Sequence, residues 1–389
     1  MKNYLLSNYN RFGIYFDRGE GATLFDRDGK RYIDFASGIG VNSIGYGNNE
    51  FSKAVSEQVS KLLHTSNLFR IAPQEELAEK ISQLSKYQLF SFFANSGTEA
   101  NESAIKLVRK YGSKTGRYKI VTLEHSFHGR TYGSLSATGQ VSLHENFQPM
   151  LDGFSYAKDI EDIYNLIDDK TIGVMVELIQ GEGGVEPLPK EEIQRLAQYL
   201  KSKDILLIVD EVQTGIYRTG EFLASNYYEI EPDVITLAKG LGGGVPIGVM
   251  ATKLENGFEA GDHGSTFGGN FLASVAGLKV IEILEKEYKS GDLQKRIELF
   301  EKRLNQLVEK FPIYTSLHGI GLMRGLSIGK GFELSTIVEK GLEHGVILLK
   351  SGRNRLRFLP PLTISLNEIE EGFFKIEKLS KEILDKHGK

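Results

Sequence analysis

Two short apolar runs in this chain end abruptly in a group able to do chemistry. Ile205-Leu206-Leu207-Ile208-Val209 runs into Asp210, and Val234-Ile235-Thr236-Leu237-Ala238 runs into Lys239. Runs of branched apolar residues this short suit strands buried on both faces, as in the middle of a parallel sheet. Ligands of such sheets bind outside the carboxyl ends of the strands, where Asp210 and Lys239 would stand. A carboxylate and an amine at one sheet edge invite acid–base or covalent chemistry, although a turn cap and a solvated charge are the bland readings of each alone.

Other segments supply complementary groups. Asn95-Ser96-Gly97-Thr98-Glu99-Ala100-Asn101-Glu102 joins an expected strand to an expected helix. Ser96 and Glu99 form a capping box, and Gly97 and Thr98 offer backbone N–H groups at the positive end of the helix dipole, a site for phosphate. In Glu124-His125-Ser126-Phe127-His128-Gly129-Arg130-Thr131, Phe127 is either a core residue or a ring stacked on a flat ligand. Arg130 is either a surface ion pair or a carboxylate clamp. His125 and His128 lack a third ligand motif, so no metal site is expected. Glu177 and Glu182 end another apolar run among glycines, Ser265 and Thr266 form a glycine-flanked hydroxyl pair, and Arg355 and Arg357 share one face of a strand stopped by Pro360 and Pro361. No G-x-G-x-x-G, Walker A or G-x-S-x-G pattern is present. Pyridoxal phosphate would use an Asp for its ring nitrogen, a Lys for its aldehyde, an anion site for its phosphate and an aromatic face for its ring.

These residues must be presented by a scaffold, and from about residue 88 the pattern alternates strand, loop and helix. Gln88–Ala94, Lys119–Leu123, Gly173–Leu178, Ile205–Val209, Val234–Ala238 and Ile247–Ala251 read as strands. Helices Glu99–Tyr111 and Lys190–Ser202 fall between them, and a long helix spans 271 to 288. This predicts an α/β domain with a mostly parallel sheet over 51–285. Residues 1–50 read as a tail and a small β unit, with a glycine-rich loop at Ser37–Gly45. Residues 286–389 read as α+β, with helices Asp292–Lys310 and Leu366–Asp385, and are expected to join 1–50 in a smaller α+β domain.

Bulk properties narrow the classes of function. The 389 residues suffice for more than one domain, and 47 basic against 51 acidic residues give no basic surface that would recruit nucleic acid or an anionic membrane. The absence of cysteine removes disulfides, thiolate catalysis and Cys-ligated metals. The first eight residues lack a signal-peptide core and no run is long enough to span a membrane, so a cytoplasmic protein is expected.

Nearly the whole chain resembles the class III aminotransferases of pyridoxal phosphate fold type I, and among them the acetylornithine aminotransferases. The matching stretches are Phe35–Asn42, Asn95–Glu102, Ser126–Thr131, Gln180–Gly184, Asp210–Gly215, Ala238–Gly240, Gly261–Asn270 and Arg357–Leu362. The resemblance implies that Lys239 bonds the cofactor aldehyde and then moves a proton, and that Asp210 pairs with the pyridine nitrogen. It implies that Phe127 and Val212 flank the ring, Gln213 bonds its phenolic oxygen, and Gly97 and Thr98 hold the phosphate. Thr266 would reach in from a second subunit, which implies a homodimer. Arg130 and Ser265 would contact substrate. Arg357 would take an α-carboxylate, with Glu182 as its switchable partner and Glu177 in support.

The implied reaction moves the terminal amino group of N2-acetylornithine to 2-oxoglutarate, a step of arginine biosynthesis, by a ping-pong route through the aminated cofactor. Ornithine, succinylornithine and 4-aminobutyrate are the alternative donors. An aminomutase reading is opposed by Arg130, and a non-catalytic regulator would need a DNA-binding segment that neither terminus supplies. The chain departs from the pattern at Tyr46-Gly47-Asn48-Asn49, at Phe271 and at Arg70, the last bearing on the choice of donor.

Overall fold

Strand Leu206–Asp210 is buried at every position, and its side chains divide between two apolar layers. Leu207 and Val209 pack on one side of the sheet, and Leu206 and Ile208 on the other. The same division recurs in Thr171–Val176, where Val174 and Val176 face one layer and Ile172 and Met175 the other. Burial of both faces explains why these strands read as continuous apolar runs and not as alternating ones. Each such side chain contributes roughly 1.5–3 kcal/mol on burial.

This computed structural model describes residues 4–387. Residues 1–3 and 388–389, the outer ends of the two segments expected to form the smaller domain, lie outside the described residues.

The central sheet has seven strands in the order Phe90–Ala94, Gly248–Thr252, Val234–Leu237, Leu206–Asp210, Thr171–Val176, Lys119–Leu123 and Phe154–Ala157. Gly248–Thr252 runs antiparallel to both of its neighbours, and the pairings from Val234–Leu237 to Phe154–Ala157 are parallel. The expected mostly parallel α/β architecture is therefore present. Phe154–Ala157 lies outside the expected strands: it is a four-residue edge strand whose first three positions are only half-buried, so it carries no long apolar run. Helix Gly97–Ser113 crosses one face and buries Ala100, Asn101, Ala104, Ile105, Leu107 and Val108. Asp210 follows Leu206 and Ile208 on that same face, so a polar residue on the helix can meet it.

Two smaller sheets position the remaining groups. Phe16–Glu20, Thr23–Asp26 and Arg31–Asp34 form an antiparallel meander to which Val346–Ile347 adds in parallel, with Val346 opposite Ile33. Residues 314–358 build an antiparallel sheet ordered Tyr314–Ile320, Met323–Ile328, Arg355–Phe358 and Leu349–Ser351. In it Arg357 stands opposite Gly325 on one side and Leu349 on the other. Helix Leu366–His387 closes the chain, and its Phe373 packs edge-on against Phe300 of helix Asp292–Lys310. The Ser37–Gly45 stretch, read as a loop, includes a short helical turn at Ser37–Gly40, with Gly38 and Ile39 both at positive φ. No helical periodicity can announce a turn so irregular.

Candidate active site

Asp210 is 4% exposed and receives hydrogen bonds from four directions. Its Oδ2 accepts from Asn101 Nδ2 at 2.8 Å and lies 2.8 Å from His128 Nδ1. Its Oδ1 accepts from the backbone N–H of Val212 at 3.0 Å and from Thr236 Oγ1 at 3.4 Å. Asn101 also donates to the His128 carbonyl at 2.6 Å, so helix, loop and strand are locked around one carboxylate. Asn101 and His128 are functional residues that the sequence reading missed. Asn101 shares a buried helix face with alanines, leucine and valine, and a polar residue on such a face is the signal that was available. His125, considered beside His128 as a possible metal ligand, is exposed, while His128 is turned into Asp210.

Asp210 lines a cavity of about 400 Å³ together with Gly97, Phe127, Val212, Gln213 and Lys239. At one wall helix Gly97–Ser113 begins. Ser96 Oγ accepts from Glu99 N–H at 3.3 Å, and the Glu99 carboxylate accepts from Ser96 Oγ at 2.9 Å and from the Asn95 N–H at 2.8 Å. The capping pair thus forms with its returning arm one residue earlier than the ordinary box. The N–H groups of Gly97 and Thr98, first in the helix, have no intrahelical acceptor, and both residues line the cavity, an arrangement suited to an anion. Gly97 must be glycine here, because a Cβ would lie 2.7 Å from Val212 Cγ1. The Thr98 hydroxyl is engaged in a cluster with Thr131 at 2.9 Å and Ser134 at 2.5 Å.

Lys239 enters the cavity from a backbone at φ 40°, a left-handed conformation that costs a non-glycine residue energy and marks functional positions. Burial, and after it the positive charge of Arg357, holds its ammonium below the usual lysine range, while Glu182, Asp210 and Glu177 act in the opposite direction. Glu177, 6% exposed, accepts from the Phe127 N–H at 2.9 Å and the Gly181 N–H at 3.4 Å. Burial pushes its carboxyl up to about 7, with His128 opposing and Asp210 adding to the rise. Opposite these groups Arg357, 3% exposed, donates to Glu182 at 2.5 Å and to the Gln213 side-chain carbonyl at 3.4 Å. Arg355, its partner on the same strand, is bound to Glu186 and to the Gly184 carbonyl and stands apart from the cavity.

Arg130 lines the cavity with its guanidinium 5.3 Å from the centre of the Phe127 ring. Ser265 and Thr266 fall elsewhere, in a surface cavity of about 700 Å³. Ser265 still accepts from Asn95 Nδ2 at 3.2 Å, but exposed Thr266 does not line the cavity of Asp210 and Lys239. Arg70 also lies apart, forked onto Glu75 at 2.8 and 2.7 Å.

A pyridoxal phosphate group fits this donor set on the geometry alone. The helix start at Gly97 and Thr98, a buried carboxylate held by four donors, an amine held below the usual lysine range, and the side chains of Phe127 and Val212 all line one cavity. The model of the family described as aminotransferase class-III matches residues 4–379. The acetylornithine aminotransferase of Wolinella succinogenes is 51% identical over 387 residues, which cover 98% of each chain. The ornithine aminotransferase of Toxoplasma gondii superposes with a TM-score of 0.92 at 29% identity, covering 98% of this chain and 94% of that one. The N-acetylornithine aminotransferase of Stenotrophomonas maltophilia superposes with a TM-score of 0.84 at 32% identity, covering 97% and 98%.

Proposed function

This chain belongs to the class III aminotransferase family, and on that premise we propose that it transfers the terminal amino group of N2-acetylornithine to 2-oxoglutarate. It is a transaminase and its cofactor is pyridoxal 5′-phosphate, which when bound supplies the electron sink for the reaction. The single observation that supports pairing a terminal-amine donor with a keto acid is the Arg357–Glu182 pair beside Lys239, and the similarity to acetylornithine aminotransferases favours N2-acetylornithine among such donors. A donor that reacts at a terminal amine brings no carboxylate next to the reacting carbon, so Glu182 must neutralise Arg357. The keto acid does bring one, and Arg357 can then exchange Glu182 for it.

The chain's own groups divide the work. Gly97 and Thr98 would hold the phosphate through backbone N–H groups, and Phe127 and Val212 would flank the ring. Gln213 would bond the phenolic oxygen, and Asp210, aimed by Asn101 and His128, the ring nitrogen. Lys239 Nζ would bond the cofactor aldehyde with loss of water and, once displaced by the substrate amine, would move the proton at the substrate's amine-bearing carbon. Arg130 contacts the substrate, Ser265 does so only if it serves a partner subunit's cavity as Thr266 would, and Glu177 supports the loop that carries Phe127. A homodimer follows if Thr266 serves the phosphate, because Thr266 lies outside its own subunit's cavity and would have to enter a partner's. The place in arginine biosynthesis and in the cytoplasm belongs to the same proposal; no helix among the described residues is long and apolar enough to cross a membrane.

The test is a half-reaction panel that follows bleaching of the cofactor by acetylornithine, ornithine, succinylornithine and 4-aminobutyrate. Acetylornithine is expected to give the highest kcat/KM. A higher value for ornithine or 4-aminobutyrate would overturn the choice of donor.

A further inference from the structure

Four arginines are buried among the described residues: Arg218, Arg324, Arg355 and Arg357. Three of them face a carboxylate, respectively that of Glu301, Glu186 and Glu182 for Arg324, Arg355 and Arg357. Arg218, 2% exposed, pairs with none among the described residues. Its Nη1 donates to two backbone carbonyls, that of Leu322 at 3.1 Å and that of Pro360 at 2.6 Å. Burial without a counter-charge is costly for a guanidinium and brings its pKa down to about 9.

The two carbonyls belong to different parts of the sheet that carries Arg357. Leu322 sits in the turn between Tyr314–Ile320 and Met323–Ile328, and Pro360 follows Arg355–Phe358. The contact with Leu322 is reciprocal, since its N–H donates to the Arg218 carbonyl at 3.0 Å. Gly321, at φ 62°, permits the approach, because a Cβ there would lie 2.5 Å from the Thr219 carbonyl carbon. On its other side Arg218 lies in the loop that starts at Asp210 and carries Val212 and Gln213. That loop turns through Ile216 at φ 57° and Tyr217 at φ 63°, both buried. Left-handed backbone is a genuine outlier for a β-branched residue and persists only where the surroundings enforce it.

We infer that Arg218 is a positioning residue that clamps the Asp210–Thr219 loop to the strand of Arg357, setting Arg357 in register with Gln213 and Glu182 so that a carboxylate beside the reacting carbon is accepted. The inference rests on the proposed role of Arg357. It separates the two halves of the reaction, because the terminal amine of acetylornithine brings no carboxylate to Arg357.

The test uses the cofactor-loaded enzyme with Arg218→Met, Arg218→Lys and, as control, Arg357→Ala. Calorimetry with glutarate, an unreactive dicarboxylate, reads binding directly, and half-reactions with 2-oxoglutarate and acetylornithine read turnover. A misplacement of about 1 Å costs on the order of a hundredfold, so Arg218→Met should weaken glutarate binding and raise the keto-acid KM by at least about tenfold. The acetylornithine half-reaction should lose clearly less than the keto-acid half-reaction, and the cofactor should be retained. Arg218→Lys, whose single ammonium cannot reproduce the planar fork, should fall between parent and Arg218→Met, and it carries the test alone if the methionine variant does not fold. Equal losses in both half-reactions, or unchanged glutarate binding, would overturn the inference. An Arg357→Ala protein that binds glutarate like the parent removes the reading beneath it and the inference too. Loss in Arg357→Ala without loss in either Arg218 variant overturns the inference alone.

Discussion

Replacing Glu182 by Gln and Arg357 by Ala should move the affinity for 2-oxoglutarate in opposite directions. In the structure the two form a pair at 2.5 Å in which Arg357 is nearly inaccessible and the Glu182 side chain is 34% exposed. If the keto acid displaces Glu182, that pair must first be broken. With one partner a third exposed, solvent screening limits its strength to about 1 kcal/mol. Glu182→Gln therefore lowers the keto-acid KM by about fivefold, a decade being about 1.4 kcal/mol. The same change leaves a buried, unpaired cation beside the methylene chain of acetylornithine and slows that half-reaction by a comparable or larger factor. Arg357→Ala removes a charge-assisted bond of roughly 1.5–3 kcal/mol, so the keto-acid half-reaction loses about ten- to a hundredfold in kcat/KM. Cofactor affinity should change far less. The assay is stopped-flow absorbance of each half-reaction taken separately, with the double variant closing the cycle. Weakening of 2-oxoglutarate by Glu182→Gln to the extent seen for Arg357→Ala would refute the exchange, since the pair would then act as one structural unit.

Two further outcomes follow from the cavity. Burial holds the Glu177 carboxyl at about 7 against 4.5 for an ordinary glutamate, so the folded state binds its proton more tightly than the unfolded state. Its stabilising contribution is complete below about pH 4.5 and is lost as pH rises to about 7, on the order of 3 kcal/mol in all. Thermal unfolding of cofactor-free Glu177→Gln protein should lose this slope, and a slope identical to the parent's would exclude Glu177 as its source. Gly129 lies at φ 138°, and a Cβ there would overlap the hydroxyls of Thr98 and Ser134. Gly129→Ala should cost roughly 1–3 kcal/mol of local packing and weaken cofactor retention about tenfold, measured by dialysis and absorbance; unchanged retention would show that the hydroxyl cluster does not support the phosphate wall.

Much of the scaffold was legible because sheet strands buried on both faces leave an unmistakable pattern. Lys190–Ser202 and Asp292–Lys310 were bounded correctly from periodicity, and Asp210 and Lys239 stood out as charges ending apolar runs. The partners of Asp210 were harder, because Asn101 and His128 reach it across 109 and 82 residues of sequence and no local spacing encodes such contacts. Glu211 shows the same limit. It follows Asp210 directly, yet it is buried away from the site, accepting the N–H groups of Ala224 and Ser225 that begin helix Ala224–Tyr227. The position of Ser265 outside the cavity also could not be read, since a glycine-flanked hydroxyl pair carries no local signal of which cavity it lines.

Every step proposed for this enzyme requires Lys239 to be the one amine that takes the cofactor. Borohydride reduction of the pyridoxal-phosphate-loaded protein followed by peptide mass mapping tests this most directly. The cofactor mass is expected on the peptide that contains Lys239, with neither the mark nor turnover in Lys239→Ala. Cofactor fixed to a different lysine, or a Lys239→Ala protein that still completes both half-reactions, would contradict it.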